Sequence, residues 1–246
     1  PVQGVQVSTT PGGRKLGYLM VKDMVSQSLP AVDSAFARFR AEGVQDIVLD
    51  LRYNGGGLVS TSARIASYLA GPANAGRTYA QLRYSDRASA NNQRFAFDSV
   101  AGTALPRVLV LAGRRTCSAS EQLVNGLRGV GVQVELIGEA SCGKPVGFVP
   151  VQSCSRSWSI VNFESVNERG EGRYWDGFAP TCAVAEDFQA PANSAADPLF
   201  AAAQARADGA ACPVATADGR ARPLSATERW QRGSARPDER QDMIPQ

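Results

Sequence analysis

Runs of apolar residues alternate with polar, glycine-marked breaks along most of the chain, and their periods separate strands from helices. After a polar opening that turns at Pro11-Gly12-Gly13, residues 16–21 form a short apolar run of strand length. In residues 31–41, Val32, Phe36 and Phe39 recur at helical spacing, and Gly43 ends the helix. Residues 46–51 read as a buried strand that stops at Asn54-Gly55-Gly56-Gly57, and residues 58–69 resume a helical pattern. Short strand-like pieces fill 77–100. A buried strand at 108–112, a helix at 118–128 and a strand at 134–138 follow, then an apolar segment at 142–151. Residues 157–164 alternate like a strand, and 168–172 turn the chain back. Asp197 and Pro198 open a helix over 198–207 as cap and first-turn residue. This alternation predicts an α/β fold with a mostly parallel central sheet flanked by helices, in which ligand chemistry gathers where strands end and helices begin.

Composition narrows the chemistry. The 246 residues, 43% of them hydrophobic and 20% charged, suffice for one sizeable core or two small ones. There is no histidine, which excludes imidazole bases and HExxH metal sites and leaves a carboxylate, lysine, tyrosine or cysteine as base. Only Lys15, Lys22 and Lys144 among the 26 basic residues are lysines, and with a net charge of +3 no dense basic stripe points to nucleic acid. The apolar run at 108–112 is far short of a membrane span. Beyond Cys212 the chain turns rich in Arg, Pro, Asp and Glu, so 213–246 reads as a loosely packed tail. The start at Pro1, with neither methionine nor leader, reads as a processed or engineered fragment.

Three segments are candidates for chemistry, and each has a plain structural reading beside it. The glycine run 55–57 lies between a strand and a helix, where backbone amides can point at a ligand; it also suits a tight turn. It fits neither GxGxxG nor a Walker loop. Ser118 opens a helix just after a buried strand, and Ser118 with Glu121 has capping-box spacing. The other reading of Ser118 is a nucleophile at a helix N-terminus. Lys144 sits between Gly143 and Pro145 amid Ile137, Val146 and Phe148, in a chain that otherwise uses arginine. Lysine, unlike arginine, can lose its proton and act as a base.

Taken in order, DLRYNGGG, SASE and the Gly-Lys pair about two dozen residues on resemble the S41 family of serine peptidases, the C-terminal processing or tail-specific proteases, over roughly residues 17–180. The resemblance implies a crotonase-like core, a peptidase domain over 1–212, no cofactor, and endopeptidase activity on unstructured chains or C-terminal tails. By motif, Ser118 is the nucleophile, Lys144 the base, and the amides of Ala119 and Gly56 the oxyanion donors. Near neutral pH a lysine base must fall from about 10.4 toward roughly 7–8, which needs an apolar, partly buried site. Position 148, where many members carry a glutamine that orients the lysine, is Phe, leaving Gln152 or Ser141 to take that task or the lysine to be held by packing alone. Too few residues precede the first strand for the PDZ domain that such enzymes use to recruit substrate.

The five cysteines lack CxxC spacing, so no metal is expected, and their clustering suggests disulfides in a periplasmic or secreted protein with one thiol left over. The expected pairs are Cys142 with Cys154 across a hairpin and Cys182 with Cys212, with Cys117 a small buried hydrophobe. The partner is a peptide or protein substrate. A peptide- or apolar-ligand-binding module without catalysis on the same fold is the alternative, and acyl-CoA chemistry of the crotonase type ranks last because it uses neither Ser118 nor Lys144.

Overall fold

A computed structural model describes residues 1–213 and 243–244. Its elements are β1 (Val2–Thr9), β2 (Lys15–Val21), α1 (Leu29–Ala41), β3 (Asp46–Asp50), β4 (Gly57–Leu58), α2 (Val59–Ala70), β5 (Thr78–Tyr84), β6 (Gln93–Ala96), β7 (Arg107–Ala112) and α3 (Ala119–Gly129). There follow β8 (Gln133–Gly138), β9 (Val146–Gly147), β10 (Val151–Ser153), β11 (Arg156–Trp158), β12 (Phe163–Val166), β13 (Cys182–Ala183), α4 (Pro198–Ala207) and β14 (Met243–Ile244).

The central sheet runs β1-β2-β3-β7-β8-β13, parallel throughout except for the antiparallel pair β1–β2. Its inner strands are apolar on both faces because both are covered. Leu19, Val21, Ile47, Leu49, Val108 and Val110 point into the larger core with α1, α2 and α3, while Leu16, Tyr18, Val48, Leu109 and Leu111 pack with Leu199, Phe200 and Ala203 of α4. A second, antiparallel sheet, β6-β5-β12-β9, lies against α2 and α3. No helix is long and apolar enough to cross a membrane among the described residues.

Three expectations change. The polar opening forms β1, whose Val2, Val5 and Val7 pack on the core; a register shift between Gln3 and Gln6 breaks the two-residue alternation that would have marked it as a strand. The expected strand at 157–164 divides into β11 and β12, because β10 and β11 form an exposed hairpin through Cys154 (φ 50°) and Ser155 (φ 58°), two left-handed residues as a tight hairpin turn requires. Within 142–151 only Val146–Gly147 and the start of β10 are strand. The expected loose tail lies outside the described residues, apart from β14.

Candidate active site

The glycine loop leaves the C-terminal end of β3 and is organised by Asn54, which is fully buried. Asn54 Nδ2 donates to Val21 O (3.0 Å), and its carbonyl accepts from Cys117 N (3.1 Å) and Ser120 Oγ (3.1 Å). The loop is thereby fastened to the β7–α3 turn. Gly56 (φ 110°) and Gly57 (φ 133°) have backbones that L residues rarely adopt, and a Cβ on Gly56 would stand 2.7 Å from Ser118 Cβ and 2.9 Å from Ala119 N. The Gly56 N–H donates to Asn54 Oδ1 at 2.9 Å, so service to an oxyanion requires that bond to open.

Ser118 occupies the strand-to-helix turn with φ 58° and ψ −118°, a strained conformation of the kind that thrusts a nucleophile out of a sharp turn. It has the capping-box placement relative to Glu121. Yet Ser118 Oγ, although buried, makes no hydrogen bond among the described residues. The adjoining Ala119 N–H is the first of α3 and so lacks an intrahelical acceptor.

Glu121, fully buried, does more than cap. Its Oε2 accepts from Ser118 N (3.0 Å) and Lys144 N (2.8 Å), and its Oε1 from Ser141 Oγ (2.6 Å) and Gly143 N (2.8 Å). One carboxylate oxygen thus touches the backbones of both Ser118 and Lys144. Burial pushes this carboxyl above the usual range, and the four donors pull it back. The same two segments are joined covalently by a Cys117–Cys142 disulfide, with Cα atoms 5.2 Å apart. This corrects the pairing expected from spacing: Cys117 is a bridge and not a free hydrophobe, Cys142 does not pair with Cys154, and Cys154 is the free, exposed thiol at the β10–β11 turn. Spacing failed because α3 and β8 separate Cys117 from Cys142 in sequence, whereas parallel pairing of β7 with β8 brings their C-terminal ends side by side. The Cys182–Cys212 bridge is present as expected. Cys117, Glu121 and Cys142 have donor atoms within 4.8 Å of one another, but the two sulfurs are spent on each other.

Lys144 is half-buried, with Nζ 5.3 Å from the ring centre of Phe148, a cation–π distance that attracts the ammonium form. Of the residues weighed for orienting it, Ser141 gives its hydroxyl to Glu121 and Gln152 lies exposed on β10. Beside the site, a cavity of about 320 Å³ opens where β2, β3 and β7 end, lined by Lys22, Asp23, Tyr53 and Arg115.

The family model for peptidase family S41 matches residues 15–162, a span that holds the glycine loop, Ser118 and Lys144. The chain belongs to peptidase family S41. The S41 chain is 33% identical over 120 residues to the chloroplastic C-terminal processing peptidase of Tetradesmus obliquus, a match covering 48% of this chain and 24% of that protein. Among solved structures it resembles a protein described as an S41 protease from Bacteroides fragilis (TM-score 0.80, 29% identity, 85% of this chain and 58% of that one). It also resembles the photosystem II D1 C-terminal processing protease (TM-score 0.60, 26% identity, 73% and 47% of the two chains). The chain therefore spans about a quarter of the curated relative and little more than half of the first of these structures.

Two contributions in this S41 chain escaped the sequence reading. Capping-box spacing marks Glu121 as a local cap and carries no sign that residues 141–144 return to it. Asp50 and Arg52, in the DLR of the first motif, form a buried network: Arg52 Nη2 binds Asp50 (2.7 Å) and Asp197 (2.9 Å), while Tyr18 OH donates to Asp50 (2.6 Å). Asp197 also caps α4, so this network locks the C-terminal end of β3, from which the glycine loop springs, onto the far helix.

Proposed function

We propose that this chain is a serine endopeptidase acting through Ser118 and Lys144, with residues 1–212 as a catalytic domain on a crotonase-like core. Lys144 takes the Ser118 hydroxyl proton as Oγ attacks the substrate carbonyl carbon. It then gives that proton to the departing amine, leaving an acyl-enzyme that a water, deprotonated by the same lysine, hydrolyses. The Ala119 amide and an amide of the glycine run, Gly56 once released by Asn54, receive the oxyanion. The observation that carries this reading is the single Glu121 oxygen that accepts from the backbone N–H groups of both Ser118 and Lys144, on a turn where Ser118 Oγ has no hydrogen-bond partner among the described residues.

The buried tyrosines and the bridged cysteines are poorly suited as the base. Burial pushes the Tyr18, Tyr79 and Tyr174 hydroxyls upward, and burial together with Glu186 pushes Tyr53 to about 12. Four cysteines are bridged. Membership of the family supports peptide or protein as the substrate class, and two disulfides support a periplasmic or secreted location.

Fluorophosphonate labelling from about pH 6 to about pH 10 tests the assignment. The parent is expected to label faster as pH rises and a lysine base loses its proton, Ser118→Ala to abolish labelling, and Lys144→Ala to slow it by about 10²–10⁴-fold. Labelling that survives Ser118→Ala refutes the nucleophile. The Phe148 ring beside Lys144 is the observation favouring a peptide-binding module without catalysis, and a folded parent that never labels decides for that reading.

A further inference from the structure

Beyond Pro213 the described residues are Met243 and Ile244, and their backbone lies at the site itself. β14 pairs in parallel with β4, Met243 opposite Gly57 and Ile244 opposite Leu58. Gly57 pairs on its other side with Met24, so β14 takes the remaining edge of the glycine loop's strand. β14 also lies against β9, the last strand in the order of the second sheet, whose pairing partner is β12. β4 begins one residue after Gly56, which abuts Ser118, and β9 begins two residues after Lys144. The channel flanked by β4 and β9 therefore runs between the supports of the two proposed catalytic residues, and an extended backbone already occupies it.

We propose that this channel binds extended peptide by strand addition to β4, and that residues 243–244 of this chain are its resident occupant, excluding substrate in cis. The proposal rests on the peptidase reading of the site. Recognition by strand addition relies on main-chain hydrogen bonds, which any unstructured segment can offer, so the chain's own segment and a substrate compete for the same edge. An attached competitor acts at an effective concentration on the order of millimolar, so even weak pairing keeps the channel filled.

Two measurements on the full-length chain test this. Met243→Pro/Ile244→Pro removes the backbone N–H groups that a strand needs and leaves the rest of the chain unchanged. In a Ser118→Ala background, a fluorescent peptide spanning residues 239–246 is expected to bind the proline variant at least about tenfold more tightly than the unmodified tail by anisotropy. With Ser118 intact, the same proline pair is expected to raise the fluorophosphonate labelling rate at least about threefold. Equal peptide binding by both chains, or no binding by either, overturns the proposal, as does a labelling rate that the prolines leave unchanged. A parent labelling rate that falls as protein concentration rises assigns the occupant to a second copy and overturns the cis arrangement. If neither chain labels, the peptidase reading fails, and the anisotropy comparison still decides whether the channel is filled by residues 243–244.

Discussion

Replacing both Cys117 and Cys142 by alanine removes the covalent link between the turn that carries Ser118 and the segment that carries Lys144. The bridge closes a loop of 25 residues, for which the chain-entropy model gives about 3.5 kcal/mol of stabilisation. In a domain of this size each kcal/mol shifts Tm by about 2–4 °C, so the double variant is expected to melt about 10 °C below the parent. Calorimetry or circular-dichroism melts without reductant measure this. A parallel Cys182→Ala/Cys212→Ala variant opens a loop of 30 residues and is expected to lose a similar amount. The two variants diverge in fluorophosphonate labelling well below either melting point: the Cys117/Cys142 pair loses labelling as Ser118 and Lys144 come out of register, whereas the distal pair keeps it. A Cys117→Ala/Cys142→Ala melt within about 2 °C of the parent refutes the reasoning, as does alkylation of Cys117 in the folded, unreduced chain.

Glu121→Gln turns one oxygen of a four-donor acceptor into an amide NH2 group facing two donors; a loss of about 3–5 kcal/mol is expected in urea denaturation, and a loss under about 1 kcal/mol removes Glu121 as the joint of the site. Gly56→Ala drives a Cβ against Ser118 and is expected to cut labelling at least about 100-fold, whereas Gly76→Ala, also at positive φ but with nothing within 4 Å, costs about 1–2 kcal/mol of stability and leaves labelling intact; equal effects on labelling contradict the close approach. Both Ser118→Gly and Ser118→Ala lack the hydroxyl, but only Ala keeps a Cβ at φ 58°, so the glycine variant is expected to be more stable by about 1 kcal/mol in guanidinium titrations, and the opposite order argues against strain. Arg52→Met leaves Asp50 and Asp197 buried without their cation, and a loss of about 3–5 kcal/mol is expected by denaturation; an unchanged midpoint means the network is not coupled to folding.

Period and punctuation made much of this fold legible. α1, β3, β7, α3, β8 and α4 lie within a few residues of where apolar spacing and caps put them, because each has a strong period or a defined end, such as Asp197-Pro198. β1 was hidden by its irregular register, and the β10–β11 hairpin by exposed apolar residues that continue the alternation of a single strand over 157–164. The site was legible as three separate motifs. Illegible were the links that exist only once β3, β7 and β8 lie side by side: the Cys117–Cys142 bridge, the return of residues 141–144 to Glu121, and the fastening of the Asn54 carbonyl to Cys117 N and Ser120 Oγ. Local spacing reports helix caps and turns. It carries no information about which strand ends become neighbours.

Because the candidate site is gathered from residues 54–57, 117–121 and 141–144 on the ends of parallel strands, no short segment of the chain contains it. Parallel pairings of this kind close long loops and form slowly, so on the proposed assignment Ser118 becomes reactive only after β3, β7 and β8 have all been laid together. During refolding, the gain of probe reactivity at Ser118 is then a clock for completion of the central sheet. If Lys144 is the base proposed here, a nascent chain that already displays Ser118 but has yet to deliver Lys144 is chemically silent toward the unfolded chains around it.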